Sequence, residues 1–162
     1  MCSSTRSPLD TLETTFRLLA TGPQPLAVDG RSVGLSRDSI PLWELRAILY
    51  HPAVSMTVQH AALVELVDRA RQLRGAWMIG LTGVLLPGLR HQVACPPTGR
   101  SGRTGGSGGM VLVSLLEHLD DPDTSSESAA ESLLRTVLRP AVAPNRPSRR
   151  RQHLAALPGG HR

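Results

Sequence analysis

Lysine is missing from the sequence, so arginine supplies all 18 of its strongly basic side chains. Aromatic residues are almost as scarce, since Phe16, Trp43, Tyr50 and Trp77 are the complete set. Hydrophobic residues still make up 40% of the 162 residues, which suffices for one modest domain. Leucine, valine and alanine must therefore build most of its core.

Cysteine pairs and a secretory leader are also lacking. Cys2 and Cys95 lie far apart, without the paired spacing of a disulfide framework or a zinc site. The first sixteen residues contain no apolar stretch of the kind that defines a signal peptide. Both observations predict a cytoplasmic protein in a reducing compartment.

No motif of a known catalytic or cofactor site is present. The six histidines show no HExxH spacing, and no serine lies in a nucleophile elbow. The glycine-rich residues 99–106 lack the Gly-Lys-Ser/Thr of a phosphate-binding loop. Asp120, Asp121 and Asp123 carry oxygens suited to a hard cation, but aspartate beside proline is more typical of a turn. We expect a non-enzymatic protein without a metal or cofactor.

Helical periodicity organises the chain between Pro41 and His91. Apolar residues at three- and four-residue spacing predict an amphipathic helix over Val58, Ala62, Leu66, Ala70 and Leu73. Ser55 or Thr57 can cap its start, and Gly75 can end it. A shorter helix opening at Pro41 precedes it. Similar patterns predict helices that begin near Pro8, Met110 and Ser126, the last ending at Pro140.

Residues 76–89 contain no charged side chain. A membrane span needs about 20 apolar residues, whereas this run has about 14, lies between Arg74 and Arg90, and contains Pro87. It therefore predicts the buried central helix of a bundle, kinked or ended at Pro87, rather than a membrane segment.

The predicted fold is a mainly α small helical bundle with one N-terminal β-hairpin. Asp29-Gly30 favours a type I′ turn between strands at 25–28 and 31–35. We divide the chain into a helical core with the hairpin (1–95), a Gly-rich linker (96–109), a helical pair packing on the core (110–139) and a disordered Arg/Pro-rich tail (140–162).

The net charge of +5 originates entirely in the tail, because residues 1–144 hold 13 arginines and 13 carboxylates. The tail arginines are Arg146, Arg149, Arg150, Arg151 and Arg162. The first four can neutralise nucleic-acid phosphates or form a solvated tail without a partner. In the body, residues 69–103 carry only basic charge and residues 117–131 only acidic charge. Arg71, Arg74 and Arg90 are the candidate nucleic-acid contacts of the body.

Four segments resemble a group of actinobacterial proteins related to RNA polymerase sigma factors: LLATGPQPLAVDG, IPLWELRAIL, AWMIGLTGVLLPGLR and MVLVSLLEHLD. The resemblance covers roughly residues 16–138. It implies a helical polymerase-binding region and a transcription-related role, with a bundle packed by Leu81, Leu85, Leu86, Leu112, Leu115 and Leu116. In that group a helix-turn-helix module that reads promoter DNA follows. No such pattern is found here, so we expect a truncated relative that contacts DNA or RNA polymerase.

A second hypothesis comes from the apolar helix 110–119. Ten residues behind a glycine-rich linker are too few to form a stable helix alone, so they must dock on another surface. The chain is then a helical protein-interaction module without a nucleic-acid role, and this helix joins a protein partner or a second copy.

Overall fold

The computed structural model describes residues 7–95 and 108–143, which form a mainly α-helical bundle with one short antiparallel pair of strands. The elements are, in chain order, α1 (Pro8–Thr21), β1 (Ala27–Val28), β2 (Ile40–Pro41), α2 (Leu42–Leu49), α3 (Met56–Leu73), α4 (Ala76–Ala94), α5 (Gly108–Asp120), α6 (Ser126–Leu133), a π-helical turn (Leu134–Leu138) and α7 (Arg139–Val142). The predicted fold class is confirmed. Residues 96–107 of the predicted linker and 144–162 of the predicted tail lie outside the described residues.

Helix α4 is the centre of the bundle, as its uncharged sequence predicts. It packs against α1, α2, α3, α5 and the π-helical turn. Its buried residues occupy all sides of the helix: Gly80, Leu81, Thr82, Gly83, Val84, Leu85, Leu86, Gly88 and Leu89. Over residues 7–95 and 108–143, none of the helices combines the length and the apolar character that crossing a bilayer requires.

Two glycines of α4 let neighbouring elements approach its backbone. A Cβ atom at Gly83 would lie 2.1 Å from Cδ2 of Phe16, the buried aromatic residue of α1. At Gly88, a Cβ would lie 2.4 Å from the carbonyl oxygen of Val137 in the π-helical turn. These positions thus set how closely α1 and the π-helical turn pack on α4.

Pro87 does not end α4, which continues to Ala94. Proline lacks the N–H that would bond to the carbonyl of Gly83, four residues earlier. Arg46 of α2 donates to this carbonyl oxygen from Nη1 at 3.4 Å. One turn further along, the Tyr50 hydroxyl donates to the Leu85 carbonyl at 3.2 Å and accepts from the Gly88 N–H at 3.0 Å. The side chains of Arg46 in α2 and of Tyr50, the C-cap residue of α2, therefore form hydrogen bonds with the backbone groups around the proline.

The ends of α3 follow their predicted signals. Ser55 Oγ accepts a hydrogen bond from the Val58 N–H at 3.3 Å, which makes Ser55 the N-cap. At the other end Arg74 and Gly75 have φ angles of 50° and 49°, so the left-handed turn begins one residue before the predicted glycine.

The predicted hairpin is wrong in its second strand and in its turn. β1 pairs with β2, with Val28 opposite Ile40, whereas residues 31–34 form a turn and residue 35 belongs to no strand. Gly30 does not have the positive φ of a type I′ turn. Its carbonyl oxygen instead accepts from the N–H groups of Val33 and Leu35, and Asp29 Oδ1 accepts from the Arg31 N–H. Local hydrogen bonds therefore close a longer loop.

The prediction that Pro140 ends regular structure is also wrong, because α7 runs to Val142. Pro140 cannot donate to the carbonyl of Thr136, four residues earlier. The preceding π-helical turn and Gln92 of α4, whose Nε2 donates to this carbonyl at 2.6 Å, accommodate the missing bond. Helix α5 begins at Gly108, two residues before its predicted start at Met110.

Candidate functional site

Helix α5 has a buried side and an exposed apolar side. Leu115 and Leu119 are buried in the core, and Leu112 is half-buried. Met110, Val113 and Leu116 are exposed to 53%, 53% and 38%. We call these three side chains the α5 stripe. Leu116 thus lies on the surface, which corrects the expectation that it packs the bundle.

Six carboxylates lie on the surface of α5, of the following turn and of α6. Glu117 and Asp120 are exposed on the same side of α5, and four further carboxylates follow in the turn and in α6: Asp121, Asp123, Glu127 and Glu131. We call these six side chains the acidic surface. Asp120 pairs with Arg74 and Glu131 with Arg135, whereas Glu117, Asp123 and Glu127 form no ion pair with the residues described here. Half of this surface therefore keeps charge that nothing in residues 7–95 and 108–143 neutralises.

Asp121 organises the turn between α5 and α6. Its Oδ2 accepts from the Thr124 hydroxyl at 2.8 Å and its Oδ1 from the Asp123 N–H at 3.0 Å. These two hydrogen bonds lower the pKa of the Asp121 carboxyl. Within the described ranges, no three potential metal ligands lie close enough together to hold an ion. The aspartates act as turn residues in this structure.

Arg71 holds the same turn from the other side. Its guanidinium donates to three backbone carbonyl oxygens, at 3.0 Å to Leu119, 2.6 Å to Thr124 and 3.4 Å to Asp121. The first of these carbonyls belongs to the last turn of α5, where a cation also opposes the helix dipole. Arg71 therefore joins α3 to the α5–α6 turn, and its donors point into the protein.

The other candidate arginines lie at different places. Arg74 is beside Arg71 and pairs with Asp120, whereas Arg90 is on α4 and donates to Asp10 Oδ1 at 2.9 Å. The structure thus does not bring the three body arginines onto one face. The tail candidates, Arg146, Arg149, Arg150 and Arg151, lie outside the described residues.

Arg90 instead shares a depression with two arginines that the sequence does not single out. This arginine depression has a volume of about 520 Å³ and is lined by Glu13, Arg17, Arg46, Leu86, Pro87 and Arg90. Arg46 is fixed there by Glu13, with nitrogen–oxygen distances of 3.1 and 3.2 Å, and lies 4.7 Å above the ring of Phe16. Arg17 is three-quarters exposed, so it and Arg90 are the more accessible cations.

A groove of about 440 Å³ runs between α4, α5 and the α6–π-turn segment. Its lining is apolar with a few polar groups: Leu89, Gln92, Met110, Val111, Ser114, Leu115, His118, Ser132, Leu133, Thr136 and Val137. His118 Nε2 is shielded from solvent and has no hydrogen-bond partner within the described residues. An unpaired buried nitrogen costs about 1 to 3 kcal/mol of stability, so His118 destabilises this part of the bundle.

Comparison of the chain with protein-family models, curated proteins and solved structures finds no match. The function is therefore inferred from the surfaces of this chain alone.

Proposed function

We propose that this chain is a non-enzymatic, cytoplasmic protein-interaction module whose α5 stripe binds a partner helix with apolar and basic side chains. The observation that carries this proposal is the exposure of Met110, Val113 and Leu116 on a helix whose opposite side is already packed. Apolar side chains at three-residue spacing are the anchors that helix-in-groove and helix-pairing interfaces use.

The charges next to the α5 stripe select the partner. Glu117 and Asp120 lie on the stripe's side of α5, so two copies that paired through this face would bring like charges together. A partner with arginine or lysine beside its apolar side chains avoids this repulsion and attracts Glu117, which has no ion pair within residues 7–95 and 108–143. We therefore assign the stripe to a basic partner rather than to a second copy.

A synthetic amphipathic helix with leucines on one face and arginines beside them is a suitable probe. The proposal expects it to bind the full chain with an affinity that Val113→Asp lowers at least tenfold, about 1.4 kcal/mol. Leu18→Asp is the matched control, because Leu18 is a 71% exposed leucine on α1. Equal binding by all three proteins, or dimers in sedimentation that Val113→Asp abolishes, would contradict the basic-partner assignment.

The second candidate function is the transcription-related one, in which a sigma-factor-like protein contacts DNA or RNA polymerase. Its structural support is the arginine depression, where Arg17, Arg46 and Arg90 outnumber Glu13 and Asp10 by one charge. Arginines at such a site bind phosphates and release counterions, so binding must weaken with salt. Arg146 and Arg149 to Arg151 of the tail, with Arg74, are the further contacts that this function would use. Arg71 is not among them, because its guanidinium already donates to three backbone carbonyls.

Titration of random duplex DNA at two salt concentrations tests this candidate. Arg17→Gln together with Arg90→Gln should lower the slope of log affinity against log salt by about 2, since each phosphate contact contributes about 0.9. Arg31→Gln is the control, because Arg31 is an exposed arginine that pairs with Asp38 in the β1–β2 loop. An unchanged slope in the double variant would show that the arginine depression makes no phosphate contacts, and would contradict its role in DNA binding.

A further inference from the structure

The groove between α4, α5 and the π-helical turn lies next to the point where the described chain ends. Val137, at its wall, is six residues from Ala143, which corresponds to about 9 Å along a helix. The following residues 144–153 extend to at most about 36 Å. The segment after Gln152 therefore reaches the groove without any change in the bundle.

This segment has the side chains that the groove requires. Residues 153–157 read His-Leu-Ala-Ala-Leu and include the only two leucines beyond Ala143. The other stretches outside the described residues, 1–6 and 96–107, contain no leucine, isoleucine or valine. Leu154 and Leu157 are three residues apart, the spacing at which two side chains of one helical turn enter the same groove. Apolar content thus selects the tail as the occupant.

Charge complementarity supports the same assignment. Within the acidic surface, Asp123 and Glu127 form no ion pairs among the described residues, and Arg146 with Arg149 to Arg151 supply four positive charges just before Leu154. Opposite charges attract most where the apolar contact also removes water.

We infer that residues 146–157 of the tail dock on the body of their own chain, with Leu154 and Leu157 in the groove and the arginines near Asp123 and Glu127 of the acidic surface. The inference goes beyond the proposed function, since the groove lies along the flank of α5 that carries Ser114 and His118, away from Val113 and Leu116, although Met110 borders both surfaces. In the docked tail the arginines contact the chain's own carboxylates instead of phosphates. Docking therefore competes with the DNA binding of the second candidate function.

The test uses the full chain and substitutions that leave the bundle untouched. Leu154→Asp with Leu157→Asp is compared with Gly159→Asp and Gly160→Asp, which add the same two charges but remove no apolar side chain. Docking predicts that only the leucine variant changes the amide chemical shifts of Gln92, Ser132 and Thr136. Trypsin should then cleave at Arg149 to Arg151 at least tenfold faster in that variant than in the control.

Three outcomes would overturn the inference. The first is identical amide shifts at the groove in the wild type and the leucine variant. The second is equal cleavage rates in the leucine variant and the glycine control. The third is shift changes that grow with protein concentration, because the groove would then bind the tail of a second copy.

Discussion

Gly83→Ala tests how strictly α4 sets the packing of α1. At an exposed helix position, replacing glycine by alanine stabilises the helix by about 1 kcal/mol, because alanine has the higher helix propensity. Here the new Cβ would lie 2.1, 2.3 and 2.7 Å from Cδ2, Cγ and Cβ of Phe16. Overpacking typically costs about 1 to 3 kcal/mol and occasionally more, and Phe16 is 1% exposed with Arg46 above its ring. We place the overpacking cost near the upper end of that range, at about 3 kcal/mol. After subtraction of the propensity gain of about 1 kcal/mol, the free energy of unfolding should fall by about 2 kcal/mol.

Gly80→Ala is the matched control, one turn away on the same helix. Its Cβ would meet the Cδ1 atom of Leu42 at 2.6 Å, which is the end of a flexible side chain rather than the base of a ring. The propensity gain and the repacking of one methyl group should nearly cancel. Urea unfolding at neutral pH measures both free energies.

Phe16→Leu in the Gly83→Ala background separates the clash from other effects. Removing the ring should relieve the overpacking, so the two substitutions together should destabilise less than their sum, by about 0.5 to 3 kcal/mol. Strict additivity, or a Gly83→Ala protein as stable as the wild type, would refute the reasoning that Phe16 lies against this backbone.

Two further predictions concern side chains that hold backbone groups. Burial raises the pKa of Tyr50 to about 12, so the unfolded chain ionises first and the free energy of unfolding should fall by about 2 kcal/mol between pH 10 and pH 12. Tyr50→Phe should abolish that loss in urea unfolding at pH 9 and pH 11.5. Arg71→Gln should cost about 2 to 3 kcal/mol because it leaves the carbonyls of the α5–α6 turn without donors, whereas Arg74→Gln, at an exposed ion pair, should cost less than about 1 kcal/mol. Equal losses for the two arginines in thermal unfolding would contradict this difference.

The helices of the bundle were predictable because their signals are local. The apolar stripe and Ser55 define α3 and its start, and the charge-free stretch after Gly75 identifies the buried helix α4. Both signals act within a few residues, through side-chain spacing and a single hydrogen bond. The fold class therefore follows from the sequence alone.

The errors arise where a distant element decides the outcome. Asp29-Gly30 is a good local signal for a tight turn, yet Val28 pairs with Ile40. Pro140 normally ends a helix, but Gln92 of α4 satisfies the carbonyl that the proline leaves free. Leu116 has the spacing of a core residue and is nevertheless exposed, because the apolar residues of α5 surround more of the helix than the core can cover.

The arginines show why the candidate site was harder to predict than the fold. Arg71 and Arg74 are close in sequence and equal in charge, but one donates to three backbone carbonyls and the other forms an exposed ion pair. Nothing in their local sequence distinguishes these roles, because the acceptors are about fifty residues away. Since the body contains equal numbers of arginines and carboxylates through residue 144, the unbalanced positive charge belongs to residues 145–162. The two proposed functions therefore differ in a measurable way. One uses an apolar face of the body, and the other uses arginines, both those of the depression and those of the tail, which bind either phosphates or the chain's own carboxylates.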